Sequence, residues 1–161
     1  MRMKRNPALS LARLLYIIQR CSDRYARRVL GPVGVGKEHL FYLGSLINEG
    51  DGVTQEELAG RLHVNGSSAA RMLAALEQRG LVTRTRVTGN ARAYRVEVTS
   101  RGRALWEELL DDLWCWEDTL TDGFSARERE QARALLERMQ KNAVAAVEDG
   151  FRRCGGERST P

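Results

Sequence analysis

Long hydrophobic runs are missing from this sequence of 161 residues. The longest candidate, Leu11 to Ile18, is interrupted by Arg13 and is far shorter than the ~18 apolar residues that a membrane-spanning helix needs. The basic start, Met1 to Arg5, leads into a short apolar patch without a small-residue cleavage site, so we predict no signal peptide. These absences favour a cytoplasmic protein with no membrane partner.

Cysteine and histidine are also scarce, with three and two residues. An odd number of widely spaced cysteines argues against a disulfide scaffold. The histidines, His39 and His63, show no metal-ligand spacing such as Cys-x-x-Cys or His-Glu-x-x-His. The segment Gly66-Ser-Ser lacks the context of a nucleophile elbow, and the sequence contains no P-loop or dinucleotide fingerprint. We therefore predict no metal, no cofactor and no enzyme activity.

Positive charge is present and unevenly distributed. The chain has 26 Lys+Arg and 21 Asp+Glu, a formal net charge of +5. Residues Arg61 to Arg103, here called the arginine field, contain nine arginines and only two acidic residues, Glu77 and Glu97. Concentrated arginine attracts polyanions and can contact phosphates or guanine edges, but a solvated basic surface has the same composition. The structure predicted for the segment decides between these readings.

The first third of the chain has the periodicity of helices. Apolar residues at three- and four-residue spacing predict a helix over 8–30, or a slightly shorter one capped by Ser10, and a second over about 37–48. A capping box at residues 54–57 opens a short helix over 55–62.

A second helix and a hairpin follow this short helix. Asn65 is the predicted N-cap of a helix that ends near residue 78, where Gly80 supplies the left-handed stop. Alternating β-branched and aromatic residues predict strands over 81–86 and 93–98, joined by a turn at 88–90.

Two long helices complete the chain. Thr99 is the predicted N-cap of a helix over 100–120, which is rich in Leu and Trp, and a capping box at 125–128 opens the last helix. Residues 151–161 are predicted to form a flexible tail. The fold class is therefore mainly α (α+β), with a helix-turn-helix and a two-stranded wing between long terminal helices.

A helix-turn-helix with a wing suggests DNA binding. Small residues near the start of the second helix let it approach the major groove closely, and Arg71 is positioned to reach guanine. Arginine at a wing tip can enter the minor groove. The predicted DNA-contacting residues are Asn65, Ser67, Ser68, Ala70, Arg71, Arg84, Arg86, Asn90 and Arg92.

Over residues 8–148 the chain resembles the MarR family of winged-helix transcriptional regulators. The resemblance is carried by Thr54-Gln-Glu-Glu-Leu-Ala, Leu62-His-Val-Asn-Gly-Ser-Ser, Arg71-Met-Leu, Leu76-Glu-Gln-Arg-Gly-Leu-Val and Val98-Thr-Ser-Arg-Gly-Arg. It implies a homodimer on a pseudo-palindromic operator of double-stranded DNA, usually as a repressor. It also implies four regions: an N-terminal dimerisation helix and linker, a DNA-binding domain, C-terminal dimerisation helices and a tail, over 8–36, 37–99, 100–150 and 151–161.

The wing departs from the family pattern at one position. The family usually has Asp, any residue, then Arg, whereas this chain has Asn90-Ala-Arg92. Asn90 can accept a hydrogen bond but carries no charge with which to pair with arginine. We hypothesise a more mobile wing whose Arg92 is freer to reach DNA.

The resemblance further implies an effector, because many members release DNA when a small ligand, often aromatic and anionic, binds beside the dimer helices. Candidate ligand-contacting residues are Tyr16, Arg20, His39, Tyr42 and Trp114, although such residues also serve as plain core.

Two alternative functions remain open from the sequence. A winged helix can serve protein–protein assembly without an operator, although the arginine field argues against that use. Some family members sense oxidants through a cysteine near the start of the first helix. Here Cys21 lies deep in that helix at an apolar-phase position and is predicted to be packed, Cys115 adjoins two tryptophans, and Cys154 is in the tail.

Overall fold

The computed structural model describes residues 10–152, apart from the side chains of residues 90–92. The described part contains six helices and three strands: α1 (Leu11–Leu30), α2 (Lys37–Glu49), β1 (Val53–Thr54), α3 (Gln55–Arg61), α4 (Gly66–Gln78), β2 (Val82–Val87), β3 (Asn90–Val98), α5 (Ser100–Leu120) and α6 (Ala126–Glu148). The chain divides inside α5 into two compact units, one up to Trp116 and one from Glu117. No helix within residues 10–152 combines the length and the apolar character needed to cross a membrane.

The predicted helix starts are confirmed by their hydrogen bonds. The side chain of Ser10 accepts from the backbone N–H of Arg13 at the start of α1, so the shorter version of this helix is observed. Capping boxes at residues 54–57 and 125–128 open α3 and α6. At α3, the Thr54 N–H and hydroxyl both donate to the Glu57 carboxylate, which holds the pKa of Glu57 below its usual value. Each such cap contributes about 1 kcal/mol to stability.

The sheet has one more strand than the sequence predicts. β1 pairs antiparallel with β3, with Val53 opposite Val96, and β3 also pairs with β2, so the strand order is β1-β3-β2. The prediction of a two-stranded hairpin is therefore incomplete. Two residues are too few to show an alternating pattern, and β1 is defined by its partner. β3 also begins at Asn90, three residues before the prediction.

The core of the first unit holds the helix-turn-helix in place. Large side chains from three helices and two strands are fully buried there: Leu43, Leu46, Leu58, Leu73, Leu76, Val82 and Val96. α4 buries Ala69, Leu73 and Leu76 against this core, while its predicted fourth core residue, Met72, is partly buried. Burial of one such Leu or Val contributes roughly 1.5–3 kcal/mol, so the core fixes the orientation of α4.

The junction between the sheet and α5 is closely packed at Gly102. A Cβ atom at this position would lie 2.3 Å from the carbonyl oxygen of Leu81 and 2.9 Å from the side chain of Val98. Thr99 caps α5 as predicted, since its hydroxyl oxygen accepts from the Gly102 N–H at 3.0 Å and the hydroxyl donates to the Gly80 carbonyl at 2.7 Å. Gly80 has a φ of 68°, the left-handed conformation predicted for it.

Both terminal helices leave apolar side chains exposed in the single chain. On α1 these are Leu11, Leu14, Leu15, Tyr16, Ile17 and Ile18; on α6 they are Leu135, Leu136 and Val147. α6 has no buried residue. The prediction that Cys21 is a packed small residue is wrong for the single chain, because Cys21 is exposed on α1 together with these apolar neighbours.

Candidate nucleic-acid interface

The start of α4 carries a compact polar group. The Asn65 side-chain oxygen accepts from the Ser68 N–H at 2.8 Å and from the Ser67 hydroxyl at 2.7 Å. Arg71, one turn further on, is exposed and donates to the Ser68 hydroxyl at 3.4 Å. Asn65 therefore acts as a cap that also orients Ser67, and Ser67 and Arg71 present their polar groups at the surface.

Two wing arginines that are predicted to contact DNA have side chains that the structure describes, and one of them is exposed. Arg86 is exposed on β2, and its guanidinium lies 5.9 Å from the centre of the Tyr94 ring. This ring on β3 limits the conformations of Arg86 without covering it. The side chains of Asn90 and Arg92 lie outside the described part of the chain, so the hypothesis of a more mobile wing remains a prediction.

Arg84 has a different environment from Arg86. Its Nε and Nη2 atoms donate to one carboxylate oxygen of Glu77 at 2.9 and 2.6 Å, and its guanidinium lies 5.4 Å from the Tyr94 ring centre. The Arg84 side chain is only 19% exposed. The ion pair connects β2 to α4, so Arg84 holds the wing against this helix.

Four further arginines of the arginine field bond to their own chain. Arg61 donates to the Gly50 carbonyl at 2.8 Å, and Arg79 donates to the Gly34 carbonyl at 3.1 Å. Arg95 donates to the Gly52 carbonyl, and Arg103 donates to the Asp51 carboxylate at 2.7 Å. With Arg84, five of the eight field arginines whose side chains the structure describes make contacts that hold loops and strands together. The field therefore includes arginines that hold the fold together, and most of these are still exposed at the surface.

The predicted ligand-contacting residues lie in different surroundings, some exposed and some partly buried. The side chains of Tyr16 and Trp114 are 60% and 59% exposed. Arg20 donates to the Tyr16 hydroxyl at 3.3 Å. His39 Nδ1 accepts from the Gly36 N–H at 2.9 Å, which caps α2. Burial, and then the charge of Arg79, lowers the pKa of His39.

Tyr42 lies in a groove beside α4. The groove has a volume of about 680 Å³ and is lined from α2 by Phe41 and Tyr42 and from α4 by Ser68, Arg71 and Met72. Burial raises the pKa of Tyr42, with a further contribution from Glu38. Tyr42 thus shares a cavity with Ser68 and Arg71, which are predicted to contact DNA.

A second cavity of about 310 Å³ lies between α1, α2 and α5, and the sequence analysis missed it. We call it the aromatic cavity, because Tyr25, Phe41, Trp106 and Trp116 line it. The rings of Tyr25 and Trp116 are stacked with centroids 4.9 Å apart. The Leu- and Trp-rich pattern of α5 was the available signal, but the prediction selected Trp114, which lies on the exposed side of that helix.

The short helix α3, the turn, the capped helix α4 and the hairpin β2–β3 define a winged helix-turn-helix protein. The sequence model of the MarR family matches residues 39–94. A crystal structure of MarR has a TM-score of 0.76 and 31% sequence identity, covering 90% of this chain and 98% of that one. A crystal structure of an S. aureus MepR–DNA complex has a TM-score of 0.75 and 26% identity, covering 83% and 98%. The chain belongs to the MarR family of DNA-binding transcriptional regulators.

A curated relative agrees with this assignment. The HTH-type transcriptional regulator YybA of Bacillus subtilis (strain 168) is 29% identical over 96 residues. The match includes 60% of this chain and spans 64% of that relative, slightly less than two thirds of its length.

Proposed function

We propose that the chain is a homodimeric repressor in the cytoplasm that binds a pseudo-palindromic operator through α4 and the wing. The observation that carries the proposal is the construction of α4. Asn65 caps its start, the Glu77–Arg84 pair fixes it to β2, and Ser67 and Arg71 are exposed at its N-terminal end. A recognition helix reads base edges with its N-terminal residues, so this end is the one that should enter the major groove. Two symmetry-related copies would then contact half-sites about one turn of DNA apart.

The proposed protein contacts divide into two kinds. Ser67, Ser68, Ala70 and Arg71 are the candidates for base edges and nearby phosphates. Arg86 and Arg92 are the candidates for the backbone and the minor groove. Arg84 contributes mainly by holding the wing, since its guanidinium is bound to Glu77. The solved MepR–DNA complex shows that a protein of similar fold binds DNA, which supports this arrangement.

The binding of DNA is tested by selecting bound sequences from random DNA and then measuring affinity at several salt concentrations. Replacing Arg71 with Ala removes one contact near the phosphates, so the salt slope should decrease by ~1. Arg133→Ala is the matched control, because Arg133 is an exposed helical arginine paired with Glu130 on α6. If the selection returns no shared sequence, or if both variants lose the same slope, the proposed interface is wrong. A chain that binds no DNA would favour the protein-assembly alternative.

The exposed apolar residues of α1 and α6 support a homodimer. Six large apolar side chains of α1 between Leu11 and Ile18 are 40–62% exposed. Such a continuous apolar surface is unusual on a monomer. Burial against a second copy would remove them from water. The same contact would also cover Cys21, which lies further along α1 and is exposed in the single chain.

Sedimentation equilibrium tests the dimer. The parent protein should sediment at twice its chain mass of 18.1 kDa, and Leu14→Asp should shift it towards the monomer because a charge would be buried in the interface. Val33→Asp is the control, since Val33 is a partly exposed apolar residue in the loop after α1. A monomeric parent protein, or equal effects of both substitutions, would contradict the proposal.

The aromatic cavity is the proposed effector site. It is bounded by α1 and α5, which belong to the predicted dimerisation regions, and by α2, which packs against the helix-turn-helix. A ligand between these elements can change the position of α4 relative to the partner copy, and hence the half-site spacing. Titration of a DNA-bound sample with ligands that fill this cavity should release the DNA. The same titration also separates a repressor that responds to a ligand from one that does not.

A further inference from the structure

Three side chains of the wing lie on one face of the β2–β3 hairpin. Arg86 on β2 is directly opposite Tyr94 on β3, and Arg84 is two residues before Arg86 on the same strand. Side chains alternate between the two faces of a strand and directly paired residues share a face, so all three lie on the same side of the sheet. Arg84 reaches Glu77 of α4 from this face. Arg86 and Tyr94 are therefore on the side of the wing that α4 occupies.

The ring of Tyr94 contacts both arginines. The guanidinium carbon of Arg84 lies 5.4 Å from the centre of the ring, and that of Arg86 lies 5.9 Å from it. Both distances are within the ~6 Å over which an aromatic face attracts a cation. The Glu77 carboxylate is bonded to Arg84 and offsets its charge, which allows a second cation to lie close to the same ring. These contacts involve the ring of Tyr94, so they would persist without its hydroxyl.

The two arginines differ in what else holds them. Arg84 donates twice to Glu77, whereas the guanidinium of Arg86 is exposed and has no hydrogen bond or ion pair within the described residues. Ordering a free arginine side chain on binding costs conformational entropy, and a contact that already restricts this side chain reduces the cost. For Arg86 this contact is the ring of Tyr94, which also packs on an arginine that is fixed to α4.

We propose that Tyr94 is a positioning residue for DNA binding, whose ring holds Arg86 on the α4 side of the wing so that its guanidinium can contact a phosphate. The series Glu77, Arg84, Tyr94 and Arg86 connects α4 to an exposed cation of the wing, and Tyr94 acts without touching DNA itself. The inference rests on the proposed function and adds a residue to it, because Tyr94 is not among the residues predicted to contact DNA.

The test is a double-mutant cycle in DNA binding. The probe is a fluorescent duplex that carries the sequence selected from random DNA, and its affinity for the full chain is measured by anisotropy. Tyr94→Leu should weaken binding about two- to fivefold, the range expected for a cation–π contact at an exposed site. In a protein that already carries Arg86→Ala, the same substitution should have little effect, because the side chain that it positions is missing. Equal losses in both backgrounds would overturn the proposal.

Two further variants separate positioning from other roles. Tyr94→Phe keeps the ring and should bind DNA as tightly as the parent; a loss equal to that of Tyr94→Leu would mean that the hydroxyl contacts DNA directly, which contradicts a positioning role. Thr85→Ala is the matched control, since Thr85 is the exposed neighbour of Arg86 on the opposite face of β2. If Thr85→Ala weakens binding as much as Tyr94→Leu, the effect is a general change in the wing, and the assignment to the ring is wrong.

NMR without DNA tests the contact itself. An aromatic ring shifts the signals of protons above its face upfield, so the side-chain protons of Arg86 should lie upfield of their usual positions in the parent and in Tyr94→Phe. They should return to those positions in Tyr94→Leu. Arg86 signals at their usual positions in the parent would overturn the proposal, even if Tyr94→Leu failed to fold.

The same experiments distinguish the failure of this inference from the failure of the proposed function. A parent protein that binds no DNA overturns the proposed function together with the role of Tyr94 in it. A parent protein that binds DNA no more tightly than Tyr94→Leu overturns the role of Tyr94 alone.

Discussion

Replacement of Gly102 with Ala tests the packing between α5 and the end of the sheet. The added Cβ would lie 2.3 Å from the Leu81 carbonyl oxygen and 2.9 Å from Val98, and the first of these atoms is backbone. Either α5 or the end of the sheet must therefore move. Overpacking of this kind costs about 1–3 kcal/mol or somewhat more, and the better helix propensity of Ala returns about 1 kcal/mol. We expect a net loss of about 2 kcal/mol in the free energy of unfolding.

Thermal unfolding at a fixed protein concentration measures this loss. For a chain of this length, 2 kcal/mol corresponds to a decrease in Tm of about 4–8 °C. The matched control is Gly60→Ala in α3, where a Cβ would meet nothing within 4 Å. That variant should gain up to about 1 kcal/mol, because Ala is the better helix former. A Gly102→Ala protein as stable as the parent, or one that changes in parallel with Gly60→Ala, would refute the reasoning about this contact.

Two further predictions concern the helix-turn-helix and its support. A double-mutant cycle of Glu77→Gln and Arg84→Gln should give a coupling free energy of about 0.5–1.5 kcal/mol in urea unfolding, because the ion pair is only partly exposed. Additive effects of the two substitutions would show that the ion pair does not connect the wing to α4. Burial lowers the pKa of His39 below its usual value of 6.5, so the folded state binds protons less readily than the unfolded state. Stability should therefore be complete above that pH and decrease as the pH falls through the window below 6.5, and His39→Gln should reduce this dependence in unfolding curves measured at several pH values. The control His63→Asn removes the other histidine and substitutes a residue that tolerates the φ of 51° at this position. A His39→Gln protein with the parent's pH dependence would contradict the assignment of this dependence to His39.

The sequence was a good guide wherever structure is decided within a few residues. N-caps such as Asn65 and Ser125, and the left-handed Gly80, act through hydrogen bonds and backbone angles that depend on adjacent residues. The order of helices and the hairpin were therefore predicted correctly.

Features that depend on distant partners were not predicted. β1 exists because Val53 meets Val96, and Arg84 differs from Arg86 because Glu77 is close to one of them. The aromatic cavity brings together side chains from three helices, and the spacing along α5 alone could not show whether Trp114 or Trp116 faces it. For the candidate DNA interface, the residues predicted on α4 remain a prediction, and the sequence could not show which arginines hold the fold together.

One side chain, Phe41, forms a wall of both cavities described above. It lines the aromatic cavity between α1, α2 and α5, and it also lines the groove that contains Ser68 and Arg71 of the recognition helix. A change in the position of this ring therefore alters the walls of both cavities. If ligand and DNA favour different positions of this ring, thermodynamic linkage requires the effect to be mutual: operator DNA must weaken ligand binding by the same factor by which the ligand weakens DNA binding.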